Sequence, residues 1–468
     1  MGLGIIGTME MARNAMRTAR AGAEVSGNNL ANAANPAYAR QRVKISSSIT
    51  IPTDKGPQGS GAEVSRLEHL RDKVLDKTII SEKSITEYLA AKQGFLRRAE
   101  ASLGQTIDNQ SIDPNSSSHG VSEGMNELFN SFQALSAAPT STAERQTVIF
   151  NAQKISDKFN TIDRRLSDLR TSINAEVEDH IDAVNSRLKE VAVIAVNLGN
   201  IEILDGSANQ VRDSLQSNLE GLAEFVNIST TTNNDGELSL FIDGVQMISD
   251  NVLIEAAKLH TDSNGMHFMA AQSSGNIINL KSGHLKGLID ARDSSIADLQ
   301  TNVNTLATQL ITEVNALHRG GYDLDGNTGQ DLFTGTGASD MGANANIVSD
   351  PRQLQGSSSA TESGNNDVLR DIAALSTTTL TGLTGMTFNE YYGNTVSRFG
   401  QDISLTTAQL EDQRTVQKMM EKQRESVMGV SVDEEIANLV VYQRAFQASA
   451  KLLTTMDGLM RDVLSLTR

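Results

Sequence analysis

The stretch TSTAERQTVIFNAQKISDKFNTIDRRLSDLRTSINAEVEDHIDAVNSRLKEVAVIAVNL, residues 140–198, runs for 59 residues without a glycine or a proline. Those two residues interrupt helices most strongly, one by backbone entropy and the other by a missing donor and a steric clash. Ile155, Phe159, Ile162, Leu166, Leu169 and Ile173 alternate spacings of four and three, the apolar stripe of a helix packed on neighbours. After one four-residue step the stripe continues through Val177, Ile181, Val184, Leu188, Val191 and Ala195. Such a skip shifts the seam without ending the helix. Ser141 lies three residues before Glu144, a capping box that opens the segment. At ~1.5 Å per residue the rod approaches ~90 Å, so the chain is expected to be built from long helices laid side by side.

Working outward, a second rod is expected from about Gly283 to His318, with Ile289, Ile296, Leu299, Val303, Leu306, Leu310 and Leu317 on its stripe. A third, more polar one covers roughly Asn389–Met428. Both chain ends carry the same spacing: Ile5, Met9, Ala12, Met16, Ala19 and Ala23 at the start, and Leu439, Tyr442, Phe446, Ser449, Leu453, Met456, Met460 and Val463 at the finish. A Ser431-x-x-Glu434 capping box opens the last helix. Neither stripe has a neighbour in sequence to cover it, so each needs the other end or another molecule. The first helix is weak in isolation, because Gly2, Gly4, Gly7, Gly22 and Gly27 each cost roughly 1 kcal/mol against Ala inside a helix. It is expected to be loose until packed.

Two windows break the helical pattern. Leu222–Leu280 is rich in Thr, Asn, Ser and Gly, and Leu238, Leu240 and Ile242 alternate with polar residues between Asp235-Gly236 and Asp243-Gly244. That is a hairpin signature and predicts a small β-rich insertion. Gly320–Asn366 is glycine-rich and reads as loop or exposed subdomain.

Composition agrees with thin helical layers. Hydrophobic residues make up 38% of the 468, aromatics 4%, and there is no Trp. The net charge of −17 repels phosphate backbones, so nucleic acid is not an expected partner. The absence of cysteine excludes disulfides, thiolate metal sites and cysteine nucleophiles. The N-terminus has no basic residue before Arg13 and places Glu10 where a cleaved signal needs apolar residues. The longest apolar runs, such as Val191–Val196, fall far short of the ~20 residues that span a bilayer, so no membrane insertion is expected.

No catalytic constellation emerges. Gly120-Val-Ser122-Glu-Gly124 fits a nucleophile-elbow pattern, but its approach, Asp113–His119, is polar where a buried strand is required. Ser122 reads better as the start of a short helix ending near Ala138. Asp323-Leu-Asp325-Gly-Asn327 begins like a calcium loop, yet Thr328 and Thr334 stand where such a loop needs Gly and Glu. The seven histidines are scattered, and His260 and His267 read as surface residues. No catalytic residue, cofactor or metal is expected, and the chain does not read as an enzyme.

The most specific signal is Asn28-Asn-Leu30-Ala-Asn32-Ala-Ala-Asn35-Pro36-Ala37-Tyr38-Ala-Arg40-Gln-Arg42-Val43. It resembles the N-terminal signature of the bacterial flagellar axial proteins (rod, hook and hook-associated), with Asn35 in place of that family's Thr and Ala37 in place of its Gly. Gly429-Val-Ser-Val-Asp433-Glu-Glu-Ile-Ala-Asn438-Leu-Val-Val-Tyr442-Gln-Arg-Ala-Phe446-Gln-Ala-Ser-Ala-Lys451 resembles the C-terminal signature of the same family, in its hook-associated form. Gly321-Tyr-Asp-Leu-Asp-Gly326 with Gly329-Gln-Asp-Leu-Phe333 is similar to an internal segment of the hook-associated members, where it also follows a long helix. The three matches lie at both ends and in one middle stretch of the chain.

The resemblance implies a structural subunit joining hook to filament in the flagellum. It would leave the cell through type III export without a cleaved signal, remain extracellular at the hook-filament junction, and self-assemble through its terminal helices. The implied fold class is mainly α: an elongated antiparallel helical bundle or coiled coil built from both chain ends, with a small β-rich insertion. Residues 1–60 and 425–468 would form an inner terminal domain of paired helices. Residues 61–221 and 283–424 would form the bundle, including an irregular outer segment at 320–375, and 222–282 the insertion. The implied assembly interface consists of Ile5, Met9, Ala12, Met16, Leu30, Leu439, Tyr442, Phe446, Leu453, Met456, Met460 and Val463. Implied partners are the hook protein, the next junction protein (hook-associated protein 3), further copies of the chain in the flagellar axis, and a cytoplasmic export chaperone on the C-terminal helix. Another axial protein (hook or distal rod) and a type III secreted effector are the alternatives.

Overall fold

Long helices dominate the computed structural model, which describes residues 4–35, 38–53, 56–104, 120–203 and 208–466. The chain begins with α1 (Ile5–Ala31), followed by strands β1 (Gln41–Ser47), β2 (Thr50–Thr53), β3 (Gly56–Gly59) and β4 (Ala62–His69). Next come α2 (Lys73–Ser102), α3 (Val121–Ala137), α4 (Thr142–Ile203) and α5 (Asn209–Phe225). Strands β5 (Ile228–Thr232), β6 (Leu238–Ile242), β7 (Val245–Ser249), β8 (Val252–Leu253), β9 (Ala257–Thr261) and β10 (His267–Ala271) fill the polar window. Then follow α6 (His284–Asp290), α7 (Ala297–Arg319), β11 (Phe333–Thr334), β12 (Gly342–Ala343), α8 (Ala345–Ser349), α9 (Asp367–Ala374), α10 (Phe388–Met428) and α11 (Val432–Leu466). The fold is mainly α with small sheets, as the helical spacing implies.

All but the first two residues of the 59-residue run lie within α4, which spans 62 residues. Its stripe from Ile155 to Ala195 is buried throughout except for Leu169, which is half-buried. Each such apolar side chain contributes ~1.5–3 kcal/mol by leaving water. The Glu144 amide donates to Ser141 Oγ at 3.3 Å, so the serine of the capping box works as the sequence implies.

The chain divides into two units. One comprises residues 1–84, 184–256 and 413–468. In it α1 runs along α11 and also packs on the β1–β4 hairpin, where Thr18 Oγ1 donates to the Ala62 carbonyl at 3.1 Å. Strands β1 and β4 pair antiparallel from Gln41 opposite His69 to Ser47 opposite Ala62, with a bulge at Lys44 and Ile45. On the exposed side of that ladder Arg66, Lys44 and Arg42 surround the Glu68 carboxylate and hold its pKa down to about 2. Strands β5 to β8 form an antiparallel meander. Its β6–β7 turn carries Asp243 at φ 44° and Gly244 at φ 82°, the two left-handed residues that a tight hairpin demands. This unit also holds a buried ionic group, in which Arg424 Nη1 lies 2.6 Å from Glu220 Oε1 and Arg71 Nε 2.7 Å from Asp76 Oδ2.

The other unit comprises residues 85–183 and 257–412. Met125, Leu128 and Phe132 of α3, Ile155 and Phe159 of α4, and Leu369 and Ile372 of α9 are buried in its core. The rod expected at Gly283–His318 is helical over that range but not uniform, because a π-helical turn at Ala291–Ile296 separates α6 from α7. Within that turn Arg292 is fully buried. Its Nη1 donates to Asn174 Oδ1 at 2.6 Å and to the His267 carbonyl at 2.9 Å, and its guanidinium lies 4.8 Å from the Phe268 ring. An extra residue in the helical turn re-aims side chains, and here the turn coincides with a buried cation anchored to β10 and α4.

The irregular segment after α7 is tied down by His318, which is fully buried at the end of that helix. Its Nε2 accepts from the Gln355 amide at 3.0 Å, which fixes the proton on Nδ1, 2.8 Å from the Gln330 carbonyl. Burial pushes this imidazole down to about 4. Arg145, also buried, donates from Nε and Nη2 to the Pro139 carbonyl and from Nη1 to the Leu354 carbonyl.

Candidate functional site: the paired terminal helices

The site expected from the sequence lies on α1 and α11, which pack along each other. On α1, Ala12 and Ala19 are buried, and Ile5, Met9 and Met16 are half-buried. On α11, Leu439, Tyr442, Leu453, Met456 and Met460 are half-buried. Phe446, Val463 and Leu30 remain exposed. Each stripe is thus set against the other end of the chain, and the cover is partial. Among the described residues of α11, Glu435 alone is fully buried.

Close approach of the two helices depends on Gly22. A β-carbon placed there would lie 2.4 Å from Tyr442 Cε1, inside any real contact distance. A glycine that sequence reasoning counts as a helix weakness is therefore the notch into which the Tyr442 ring fits.

The N-terminal signature is a hydrogen-bonded corner. Asn29, buried near the end of α1, donates from Nδ2 to the Gln41 carbonyl at 2.8 Å. Its Oδ1 accepts from the Gln41 amide at 3.0 Å and from the Tyr38 hydroxyl at 2.8 Å. A side-chain amide thus replaces backbone partners where the chain turns from helix into β1. Asn32 caps the helix end, its Nδ2 donating to the Asn28 carbonyl at 2.9 Å. Burial first, and then the Asp213 and Glu435 charges, push the Tyr38 hydroxyl up to about 12, so it stays a donor. The departure at Ala37 lies outside the described residues.

The two signatures meet at Arg40. Its Nε lies 2.7 Å from Glu435 Oε1 and its Nη1 2.8 Å from Glu434 Oε2. Its amide donates to the Met428 carbonyl at 2.9 Å. The Glu434 amide donates to Ser431 Oγ at 3.4 Å, while its carboxylate is engaged by Arg40. Charge complementarity between Arg40 and the Glu434-Glu435 pair is the signal that could have joined the two motifs in sequence.

Beyond the stripe, α11 keeps a second apolar set open to solvent: Ile436, Val440, Val441 and Leu459, with Phe446 at its margin. Exposed apolar side chains on a helix that already carries an apolar stripe are available to further partners.

The chemistry considered at other positions resolves into local structure. Ser122 Oγ donates to Asn389 Oδ1 at 2.7 Å, and the approach at 113–119 lies outside the described residues. Asp323 Oδ1 accepts from the Asp325 and Asn327 amides, both at 2.8 Å, the bonds of an Asx turn. No described helix is long and apolar enough to cross a membrane.

Two family models match the chain. "Flagellar hook-associated protein FlgK helical domain" matches residues 110–333, and "Flagellar basal body rod FlgEFG protein C-terminal" matches 417–466. Flagellar hook-associated protein 1 of Bacillus subtilis (strain 168) is 23% identical over 514 aligned residues, covering 98% of this chain and 97% of that protein. The Salmonella typhimurium protein of the same name is 22% identical, with 97% and 99% covered. A structure of the flagellar hook junction protein FlgK from Burkholderia pseudomallei aligns with a TM-score of 0.48 and 19% identity, over 55% of this chain and 46% of that one. The two matched models together take in more than half of the sequence, and the named relatives align over nearly all of it. Over nearly all of its length the chain is thus similar to flagellar hook-associated protein 1.

Proposed function

We propose that this chain is a structural subunit of the bacterial flagellum that joins hook to filament, and that it is not an enzyme. The observation that carries the reading is the pairing of α1 with α11, which brings both terminal signatures together and leaves a second apolar face of α11 in solvent. That face, continued by Phe446, Val463 and Leu30, packs against the terminal helices of neighbouring copies and of adjacent axial proteins. The assembly interface then takes in, beside that exposed face, the paired stripes themselves: Ile5, Met9, Ala12, Met16, Leu30, Leu439, Tyr442, Phe446, Leu453, Met456, Met460 and Val463. Its partners are the hook protein on one side and hook-associated protein 3 on the other. Before export through the type III channel, a cytoplasmic chaperone shields α11, and the mature subunit stands outside the cell at the junction. One apolar face serves these partners in turn, since it cannot be covered twice at once.

Deleting the gene in its host tests the reading. Intact hooks without filaments, with flagellin lost to the medium, are the expected result. Normal filaments would overturn it.

A further inference from the structure

Glu176 and His180 stand four residues apart on α4, a spacing that places both side chains on one face of the helix. His284 is the first residue of α6, and it follows Gly283, whose φ of 92° turns the chain into that helix. The fold brings the three together from 104 residues apart in sequence. One ligand atom of each, a carboxylate oxygen and two ring nitrogens, lies within 4.8 Å of the others. The two imidazoles meet edge to face at 4.7 Å between centroids. All three side chains are half-buried, so the site is shielded but reachable.

We propose that Glu176, His180 and His284 form a binding site for a divalent transition-metal cation, with zinc as the type. The chemistry of the set selects the class. Two imidazoles and one carboxylate suit zinc, cobalt or nickel, whereas magnesium and calcium want oxygen alone. Bonds of about 2.0–2.2 Å in a tetrahedral shell put neighbouring ligand atoms roughly 3.3 Å apart. The three ligand atoms, within 4.8 Å of one another, need to close by about 1.5 Å at most to reach that spacing. Three protein ligands leave a fourth position for water. Arg98 Nη1 lies 3.4 Å from Glu176 Oε1 in an ion pair with more than half of the arginine side chain in solvent. Such a pair is weak and yields readily to a divalent ion. Asp179, which also acts on His180, adds negative charge beside the site. The bound ion would clip α4 to the start of α6, so binding favours the folded unit that contains them.

The test uses the full-length chain without a histidine tag, stripped of metal and titrated with cobalt(II). The expected result is a visible d–d band of tetrahedral cobalt that saturates at one ion per chain, is displaced by zinc, and is unaffected by magnesium or calcium. His284→Ala, on the short helix, and Glu176→Gln, which keeps the helix intact, each weaken cobalt binding by about tenfold or more. His260→Ala leaves it unchanged. Absence of the band in the wild-type chain overturns the proposal. So does a band that survives His284→Ala at full affinity, since the ion then sits elsewhere.

Discussion

Arg40 Nε lies 2.7 Å from Glu435 Oε1, joining residues 395 positions apart and linking the two terminal signatures by a charged pair. Glu435 is 97% buried as a side chain and Arg40 about four-fifths buried, since 3% and 22% remain exposed. Taking one partner away leaves a buried carboxylate or guanidinium without its counter-charge. Breaking such a pair typically costs ~3–5 kcal/mol, although the pair's own net contribution is smaller. Arg40→Ala should therefore destabilise the unit containing α1 and α11 by about 3 kcal/mol in urea unfolding. Arg40→Ala combined with Glu435→Ala should cost clearly less than the sum of the single changes. Strict additivity would show that the pair is not coupled.

Gly22→Ala separates propensity from packing. In an exposed helix interior the change stabilises by ~1 kcal/mol. Here the added carbon meets Tyr442 Cε1 at 2.4 Å, so the melting temperature should fall. Tyr442→Ala in the same chain should restore the propensity gain. A rise with Gly22→Ala alone would mean that the helices do not approach this closely.

Hydrogen exchange should report the partial cover of α11. Because Glu435 is its one fully buried residue among those described, local opening of this helix costs little. Its amides in the monomer should exchange within seconds, those of α1 with them, while α4 stays protected. Leu453→Asp, which puts a charge into the half-buried seam, should cost several kcal/mol once the seam is packed. Flagella of cells carrying it should then lack the subunit. Normal incorporation would place the contact elsewhere.

Acid should loosen the segment after α7 through His318. Its pKa falls from 6.5 to about 4 on folding, so the unfolded chain binds more protons between those values. Stability from this group is complete above pH 6.5 and is lost as pH falls toward 4, at up to ~1.4 kcal/mol for each unit crossed. Burial is the main cause, opposed by the hydrogen bond to the Gln330 carbonyl and by Asp331, and reinforced by Arg145. His318→Asn should lower stability at neutral pH and flatten this acid limb. A limb of unchanged steepness would assign the acid sensitivity to other groups.

Calcium should leave the melting temperature unchanged. The Asp323 carboxylate is engaged by the Asp325 and Asn327 amides and, at 3.1 Å, by Asn327 Nδ2. A clear rise would make Asp323 a ligand.

The helices were legible in the sequence because an apolar stripe repeats every turn and needs only local spacing to be seen. Ile155 to Ala195 named the buried face of α4 residue by residue, and Asn389–Met428 matched α10 almost to its ends. The hairpins of residues 41–69 leave only a short trace in the spacing, Val43 and Ile45 alternating with Arg42 and Lys44. The π turn at Ala291–Ile296, where Arg292 meets Asn174 and the His267 carbonyl, leaves no mark in the local spacing. Local periodicity thus determined the terminal helices, α4, α7 and α10 as helical segments and the apolar face of α4, while α2 and α5 were not singled out by it. Only the tertiary structure decided what covers those faces, why Gly22 must lack a side chain, and that Glu176, His180 and His284 share one place. Those relationships join residues far apart in sequence, and the spacing along a chain carries no record of distant pairings.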